Sequence, residues 1–229
     1  MRIAVIPARS GSKRIPQKNI RPFHGIPILF RTVQKLLNSN LFDKVIVSTD
    51  SEIFADIAES AGVVVTTLRP SKLSGDNVGL REVMKYELEL IGLNEESTEE
   101  TFCILPCTPL LKIIDLKNAI EIYDSKKYDQ IIAVSEFSDN IKKAFYFDSS
   151  QNLKMCSPEN LFFRTQDLEK CYFDAGQFYL STSGKWITGK LHQMQGLVIP
   201  RLRAIDIDTE EDWNFAELVF KTENKPLDN

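Results

Sequence analysis

Ile3-Ala4-Val5-Ile6-Pro7-Ala8-Arg9-Ser10-Gly11-Ser12-Lys13-Arg14-Ile15-Pro16-Gln17-Lys18-Asn19 is the stretch that decides the fold. Residues 3–6 are an unbroken apolar, β-prone run closed by Pro7, the pattern of a parallel strand buried on both faces. The turn that follows has the opposite character. Arg9, Lys13, Arg14, Lys18 and Arg21 place five cations within thirteen residues, and no Asp or Glu precedes Asp43. Gly11, between the small Ser10 and Ser12, lets backbone N–H groups come close to an anion, while Arg9, Lys13 and Lys18 supply charge for several phosphates. The stretch reads as a polyphosphate cradle or, at its plainest, as a solvated basic turn. It is not a Walker loop, which needs Gly-x-x-x-x-Gly-Lys-Ser/Thr. Nor is it a dinucleotide fingerprint, which needs three glycines where one stands.

Outward from this turn, strand and helix patterns alternate. Pro27 opens a segment with apolar residues at Ile28, Leu29, Val33, Leu36 and Leu37, which is helical spacing with proline in the first turn. Residues 45–47 form a second apolar run, and Ser48-Thr49-Asp50 suits a strand end and the cap of the next helix, with Asp50 as the capping carboxylate. Residues 53–61 are expected to be helical, Gly62 a C-cap, and residues 63–65 a third strand. Helices are further expected at 83–91, 115–123 and 210–220, and strands at 102–105, 130–134, 178–180 and 204–208. This alternation predicts an α/β fold, a three-layer, doubly wound, mostly parallel sheet whose ligands sit at the carboxyl ends of the strands. Between residues 138 and 172 the rhythm breaks into short β-like pieces with the exposed aromatics Phe162 and Phe163. The expected organisation is therefore a core at 1–137 and 173–229 with an insertion at 138–172, and a frayed polar tail at 223–229.

Composition narrows the function. At 229 residues, with 43% hydrophobic and 26% charged content, the chain is an ordinary globular protein without a spanning or signal-like apolar run, so a cytoplasmic location is expected. Residues 1–42 hold eight Lys/Arg and no acid, which leaves 20 basic and 32 acidic residues beyond them. One basic loop on an acidic body suits a small anion such as a nucleotide rather than a nucleic acid. Cys103, Cys107, Cys156 and Cys171 show no CxxC spacing, and with only His24 and His192 beside them reduced thiols are expected rather than a zinc site.

Two further constellations carry chemistry. Asp206 and Asp208, two apart on the expected strand, point to one face and can converge on one Mg²⁺ while Ile205 and Ile207 pack the other way; alternatively one of them caps the helix beginning at Glu210. In and after the insertion, Arg164, Gln166, Asp174 and Gln177, with Lys142 or Lys143, offer a cation and polar groups that could hold an anionic, hydroxylated ligand.

Ile-Pro-Ala-Arg-Ser-Gly-Ser-Lys-Arg-Ile-Pro-Gln-Lys-Asn-Ile resembles the signature of the CMP-sialic acid synthetases, the cytidylyltransferases of nonulosonic and ulosonic acids. Supporting matches run in order: Val-Ser-Thr-Asp at 47–50, Leu-Arg-Pro at 68–70, Leu-Ser-x-Asp at 73–76, Pro-x-Thr-Pro-Leu at 106–110 and Ile-Asp-Ile-Asp-Thr at 205–209. The resemblance implies a nucleotide-diphospho-sugar transferase fold. It further implies a nucleotide site of Ala8, Arg9, Ser10, Gly11, Ser12, Lys13, Asn19, Arg69 and Asp76, with Arg9, Lys13 and Lys18 on the triphosphate of CTP. Asp206 and Asp208 would hold Mg²⁺, and the insertion would form a homodimer whose arms reach the partner's site. Many sialic acid members carry Gln where Leu105 stands, so one polar contact on the acceptor side is missing. Where sialic and legionaminic acid members tend to carry Arg-x-Asn-Gly-x-x-Tyr, this chain has Phe173-Asp174-Ala175-Gly176-Gln177-Phe178-Tyr179. Together with Arg164-Thr165-Gln166-Asp167-Leu168-Glu169, that string is similar to the branch that activates pseudaminic acid.

The implied reaction is transfer of CMP from CTP to the anomeric hydroxyl of a nonulosonic acid, with release of pyrophosphate. Neuraminic, legionaminic or deoxyoctulosonic acid are the alternative acceptors. Outside the class stand a dinucleotide-dependent dehydrogenase, for which the glycines are lacking, and a non-catalytic nucleotide-binding protein.

Overall fold

Alternation along β1 (Arg2–Pro7) sets up the layers: Ile3 and Val5 pack into one core, Ala4 and Ile6 into another, and all four are fully buried. The computed structural model describes residues 1–65, 67–125 and 127–223; the tail expected at 223–229 lies, beyond Glu223, outside the described residues. The remaining strands are β2 (Pro22–Phe23), β3 (Ile26–Pro27), β4 (Lys44–Ser48), β5 (Glu100–Ile104), β6 (Gln130–Glu136), β7 (Phe145–Phe147), β8 (Leu153–Met155), β9 (Tyr172–Thr182) and β10 (Met194–Val198). The helices are α1 (Ile28–Asn38), α2 (Glu52–Ser60), α3 (Leu80–Leu90), α4 (Ile113–Asp124), α5 (Ser183–Thr188) and α6 (Glu210–Glu223).

The main sheet has the order β10-β6-β9-β5-β1-β4. β1 lies parallel to both β4 and β5, β10 is parallel to β6, and β9 alone runs antiparallel, between β5 and β6. One face is covered by α1, α2 and α4 through Leu29, Val33, Phe54, Ala58 and Leu116; the other is covered by α3 and α5 through Met84, Leu88, Trp186 and Ile187. A third cluster at the carboxyl edge packs α6 through Trp213 and Ala216 against Ile15, Phe23, Cys107 and Ile207. The chain leaves β1 for β4 on one side and returns to β5 on the other. Such a reversal opens a crevice at the carboxyl end of β1, where the basic turn begins.

The expected elements form with three differences. Residues 63–65 are not a strand: Gly62 closes α2 with φ 100° while Val63 N–H donates to Ala58 O at 3.1 Å, and the segment runs past the edge with Val64 exposed. Residues 204–208 are extended but make no ladder, because the 3₁₀ turn Arg201–Arg203 ahead of them leads the chain off the sheet. Ile205 and Ile207 nonetheless pack together into the α6 cluster. Finally, α5 and the edge strand β10 carry little signal of their own: α5 has six residues and an internal glycine, and β10 is Met-Gln-Gly-Leu-Val. Between β6 and β9, β7 and β8 form a separate antiparallel hairpin with Phe145, Tyr146 and Phe147 all exposed.

Candidate active site

The basic turn is built from β1 outward. Ala8 N–H donates to Ser48 O at 2.8 Å, extending the β1/β4 pairing by one residue, and the chain then leaves the sheet. Asp50, expected to cap α2, does something else. Its carboxylate accepts from Ser10 N–H at 2.8 Å and Ser10 Oγ at 2.9 Å, whereas the N-cap of α2 is Ser51, without a side-chain cap bond. An acidic group tethers the first turn of a loop whose cations repel one another. Further on, Asn19, buried beside Cys107, donates from Nδ2 to Arg9 O at 2.9 Å and closes the loop on itself. Gln17 takes φ 52° to make this return.

A cavity of about 530 Å³ lies over this loop. Arg9, Ser12, Lys13, Lys18, Asn19, Arg69, Asp76 and Asp208 all line it, which brings together residues from the two ends of the chain. Lys18 and Asp208, 190 positions apart, approach at 3.3 Å, and Lys18 Nζ also donates to Ile207 O. Arg14 reaches Asp208 at 2.8 Å. On the opposite wall Asp76 pairs with Arg9 at 2.8 Å and with Lys13, and these two bonds hold its carboxyl below the usual range. Of the other loop residues, Ala8 is buried beneath the cavity, Ser10 is spent on Asp50, and Gly11 is exposed with open space around it.

Arg69 forms the floor. It is 4% exposed, its backbone N–H donates to Thr49 O at 2.7 Å, and its guanidinium reaches Ser48 Oγ at 3.3 Å and Ser74 Oγ at 3.4 Å. Burial lowers its pKa from the ordinary value, though guanidinium remains the charged form. Two donors are spent on neutral hydroxyls, so the others remain for a ligand with acceptor atoms.

Asp206 and Asp208 are both free of helix-capping duty. The start of α6 is capped by Thr209 and Asp212, whose side chains bond each other's backbone N–H at 2.7 and 3.2 Å. Asp206 borders an adjoining groove with Phe137, Phe173 and Phe215, and burial, then the nearby Asp208 charge, push its pKa up. Asp174 adds to that push. It comes close because β9 carries a wide irregularity: Ile132 pairs with Tyr179 but Val134 with Asp174, so extra β9 residues loop out. Within the bulge, Gly176 takes φ 60°, and a Cβ there would stand 3.0 Å from the Asp206 carboxyl carbon. Asp174 accepts from Tyr179 OH at 2.6 Å and Gly176 N–H at 2.9 Å.

Gln177 lies elsewhere than its neighbours. It is 1% exposed and donates to Arg203 O at 2.6 Å, with its Oε1 unpartnered. Lys142, Arg164 and Gln166 are not brought to the cavity of their own chain. Lys142 pairs with Glu169 at 2.6 Å, Arg164 with Asp167 at 2.8 Å, and Gln166 lines a separate groove with Phe137 and Cys171.

A second cavity of about 350 Å³ shares Leu80 with the first and is lined by Arg81, Tyr179, Lys185, Trp186 and Leu191, none of which the sequence singled out as site residues. Only the Asp174-to-Tyr179 string hinted at it. All four cysteines are free, and burial raises the Cys107 thiol to about 12, which leaves it inert beside the site.

The cytidylyltransferase family profile matches residues 3–228. The chain is 34% identical to a pseudaminic acid cytidylyltransferase of Campylobacter jejuni over 97% of both chains. It is 31% identical to a CMP-N,N'-diacetyllegionaminic acid synthase of Legionella pneumophila over 98% of both. Its fold is similar to that of a CMP:2-keto-3-deoxy-manno-octonic acid synthetase solved with CTP, with a TM-score of 0.69 at 13% identity, covering 97% of this chain and 100% of that one. With the family's signature turn, its carboxyl-edge cavity and a match over nearly the whole chain, the protein belongs to the cytidylyltransferases.

Proposed function

We propose that this cytidylyltransferase transfers CMP from CTP to the anomeric hydroxyl of a nonulosonic acid, with pseudaminic acid as the acceptor. The hydroxyl oxygen bonds to the α-phosphorus as its proton is lost to water, the bond from that phosphorus to the bridging oxygen breaks, and pyrophosphate leaves. The observation that carries the donor half is the cavity at the carboxyl end of β1 in which Arg9 and Lys13, paired with Asp76, share a lining with Lys18 and Asp208, which pair with each other. Catalysis of this transfer is largely positional and electrostatic. Lys18, at 19% side-chain exposure, is the cation held most firmly on the leaving group, whereas Lys13, at 78%, is free to swing onto the β- and γ-phosphates. Arg69, on the floor, offers its unspent donors to the acceptor edge of a cytosine.

Asp206 and Asp208 would hold Mg²⁺. They supply hard oxygen donors, neither caps α6, and burial followed by the Asp208 charge raises the Asp206 pKa, a cost that a cation would relieve. When bound there, the ion neutralises charge on the transferring and leaving phosphates. On the acceptor side, the Asp174 bulge and the second cavity, where Arg81, Lys185, Gln130 and Ser181 stand beside Leu80, Trp186 and Leu191, suit a sugar acid with deoxy and acyl groups. The exposed Phe145, Tyr146, Phe147, Phe162 and Phe163 face a second copy of the chain, which brings Lys142, Arg164 and Gln166 to that copy's cavity. No helix among the described residues is long and apolar enough to cross a membrane.

The test is pyrophosphate release from CTP with pseudaminic, N-acetylneuraminic, legionaminic and deoxyoctulosonic acids in turn. Equal or better turnover of another acid overturns the acceptor. CTP binding without release from any acid favours a non-catalytic nucleotide-binding protein.

A further inference from the structure

The peptide unit between Arg9 and Ser10 is held at both ends by side chains from elsewhere in the chain. Its N–H donates to Asp50 Oδ1 at 2.8 Å, and its carbonyl, that of Arg9, accepts from Asn19 Nδ2 at 2.9 Å. A trans peptide is a rigid plane, so bonds at its two ends fix its rotation, and with it ψ of Arg9 and φ of Ser10. The grip extends to the next residue. Ser10 Oγ donates to Asp50 Oδ2 at 2.9 Å, and Ser10 O accepts from Ser12 N–H at 2.9 Å, so every polar group of Ser10 is engaged within the protein.

Both gripping groups are themselves set in place. Asp50 extends from the end of β4, where Ser48 O accepts from Ala8 N–H at 2.8 Å and Thr49 O accepts from Arg69 N–H at 2.7 Å. Asn19 is buried, and its Oδ1 accepts from the Cys107 thiol at 3.3 Å. Burial keeps that thiol protonated and therefore a donor, which orients the Asn19 carboxamide with its N–H groups towards Arg9. A carboxylate close to a polyphosphate site opposes the ligand's charge. What it offers in return is two oxygens that accept the N–H and the hydroxyl of Ser10 together, in charge-assisted bonds roughly twice as strong as neutral ones.

We infer that Asp50 is a positioning residue for the donor's phosphates: with Asn19 it clamps the Arg9–Ser10 peptide and so sets the places of Arg9 and Lys13 over the cavity. This rests on the proposal that the basic turn holds the triphosphate of CTP. Arg9 and Lys13 both line the cavity, and each has its charged end held by the exposed Asp76. The firm anchor for both is the backbone they share. A loop already fixed in its bound shape loses less freedom when the phosphates arrive.

The experiment titrates CTP and CMP by calorimetry into the wild type, Asp50→Ala, Asp50→Asn and Cys107→Ala, with melting curves recorded beside them. CMP lacks the phosphates assigned to Arg9 and Lys13. Asp50→Ala is expected to weaken CTP about tenfold and CMP by no more than about twofold. Asp50→Asn keeps an oxygen for Ser10 N–H and should recover most of the loss. Cys107→Ala reaches the clamp from its other end and should weaken CTP about threefold while sparing CMP, so it carries the test should Asp50→Ala fail to fold. An unchanged ratio of CTP to CMP affinity in the folded variants, whether both nucleotides weaken or neither does, overturns the assignment. Failure of the wild-type protein to bind CTP would instead overturn the donor proposal, so the two failures are distinguishable.

Discussion

Asp115→Asn is the perturbation whose size the structure fixes best. Asp115 on α4 and Arg203 are each 6% exposed and pair through two contacts, with Nη2 to Oδ1 at 3.1 Å and Nη1 on Oδ2. Arg203 also presents its carbonyl to Gln177 at 2.6 Å. The pair pins the turn that feeds residues 204–208, so it acts on Asp206 and Asp208 without touching substrate. Removing one charge leaves Arg203 buried without a counter-ion, which costs about 3–5 kcal/mol. For a protein of this size each kcal/mol lowers Tm by about 2–4 °C, so a fall of about 6–20 °C is expected. Replacing both partners, as Asp115→Leu with Arg203→Met, removes the orphaned charge and should recover most of that loss. Far-UV circular dichroism on heating reads the stability, and pyrophosphate release well below the transition reads the displaced aspartates. A fall under about 2 °C for Asp115→Asn would refute the claim that this pair pins the segment.

Other expectations follow from the same geometry. Lys18→Met should lower kcat by about 10²–10³, whereas the exposed Lys13→Ala should mainly raise KM for CTP; equal effects in steady-state assays would contradict the division of roles. Lys35 donates to Pro109 O at 3.0 Å and Leu111 O at 2.7 Å, and burial lowers its pKa from 10.5 to about 8. Between those values the unfolded chain holds the proton that the folded chain has lost, so stability in urea should rise from pH 8 to pH 10 and the rise should vanish in Lys35→Met. Phe162 is 93% exposed, and Phe162→Glu with Phe163→Glu should convert a dimer to a monomer in analytical ultracentrifugation; an unchanged assembly would remove the role proposed for the insertion.

Much of the fold was legible because its signals are local. The run at 3–6 is apolar at every position since β1 is paired and covered on both sides, and Ile28, Leu29, Val33 and Leu36 mark the α1 face that packs on it. Residues 63–65 misled because a valine run satisfies strand propensity without having a neighbour to pair with. The Asp206/Asp208 pair was found by strand alternation, yet its surroundings are set by a turn, a bulge and a helix cap that no period reveals. Asp50 read as a helix cap because its long-range partner, Ser10, leaves no trace in local spacing. The second cavity escaped for the same reason: it depends on side chains from elements far apart in sequence.

The proposed mechanism requires the basic turn and Asp208 to act as one catalytic site. Pyrophosphate release from CTP and pseudaminic acid by Asp208→Asn, with its melting curve recorded beside that of the wild type, tests this most directly. A loss of at least about 10³ in kcat with the fold intact is expected. Full turnover in a folded Asp208→Asn protein would contradict it.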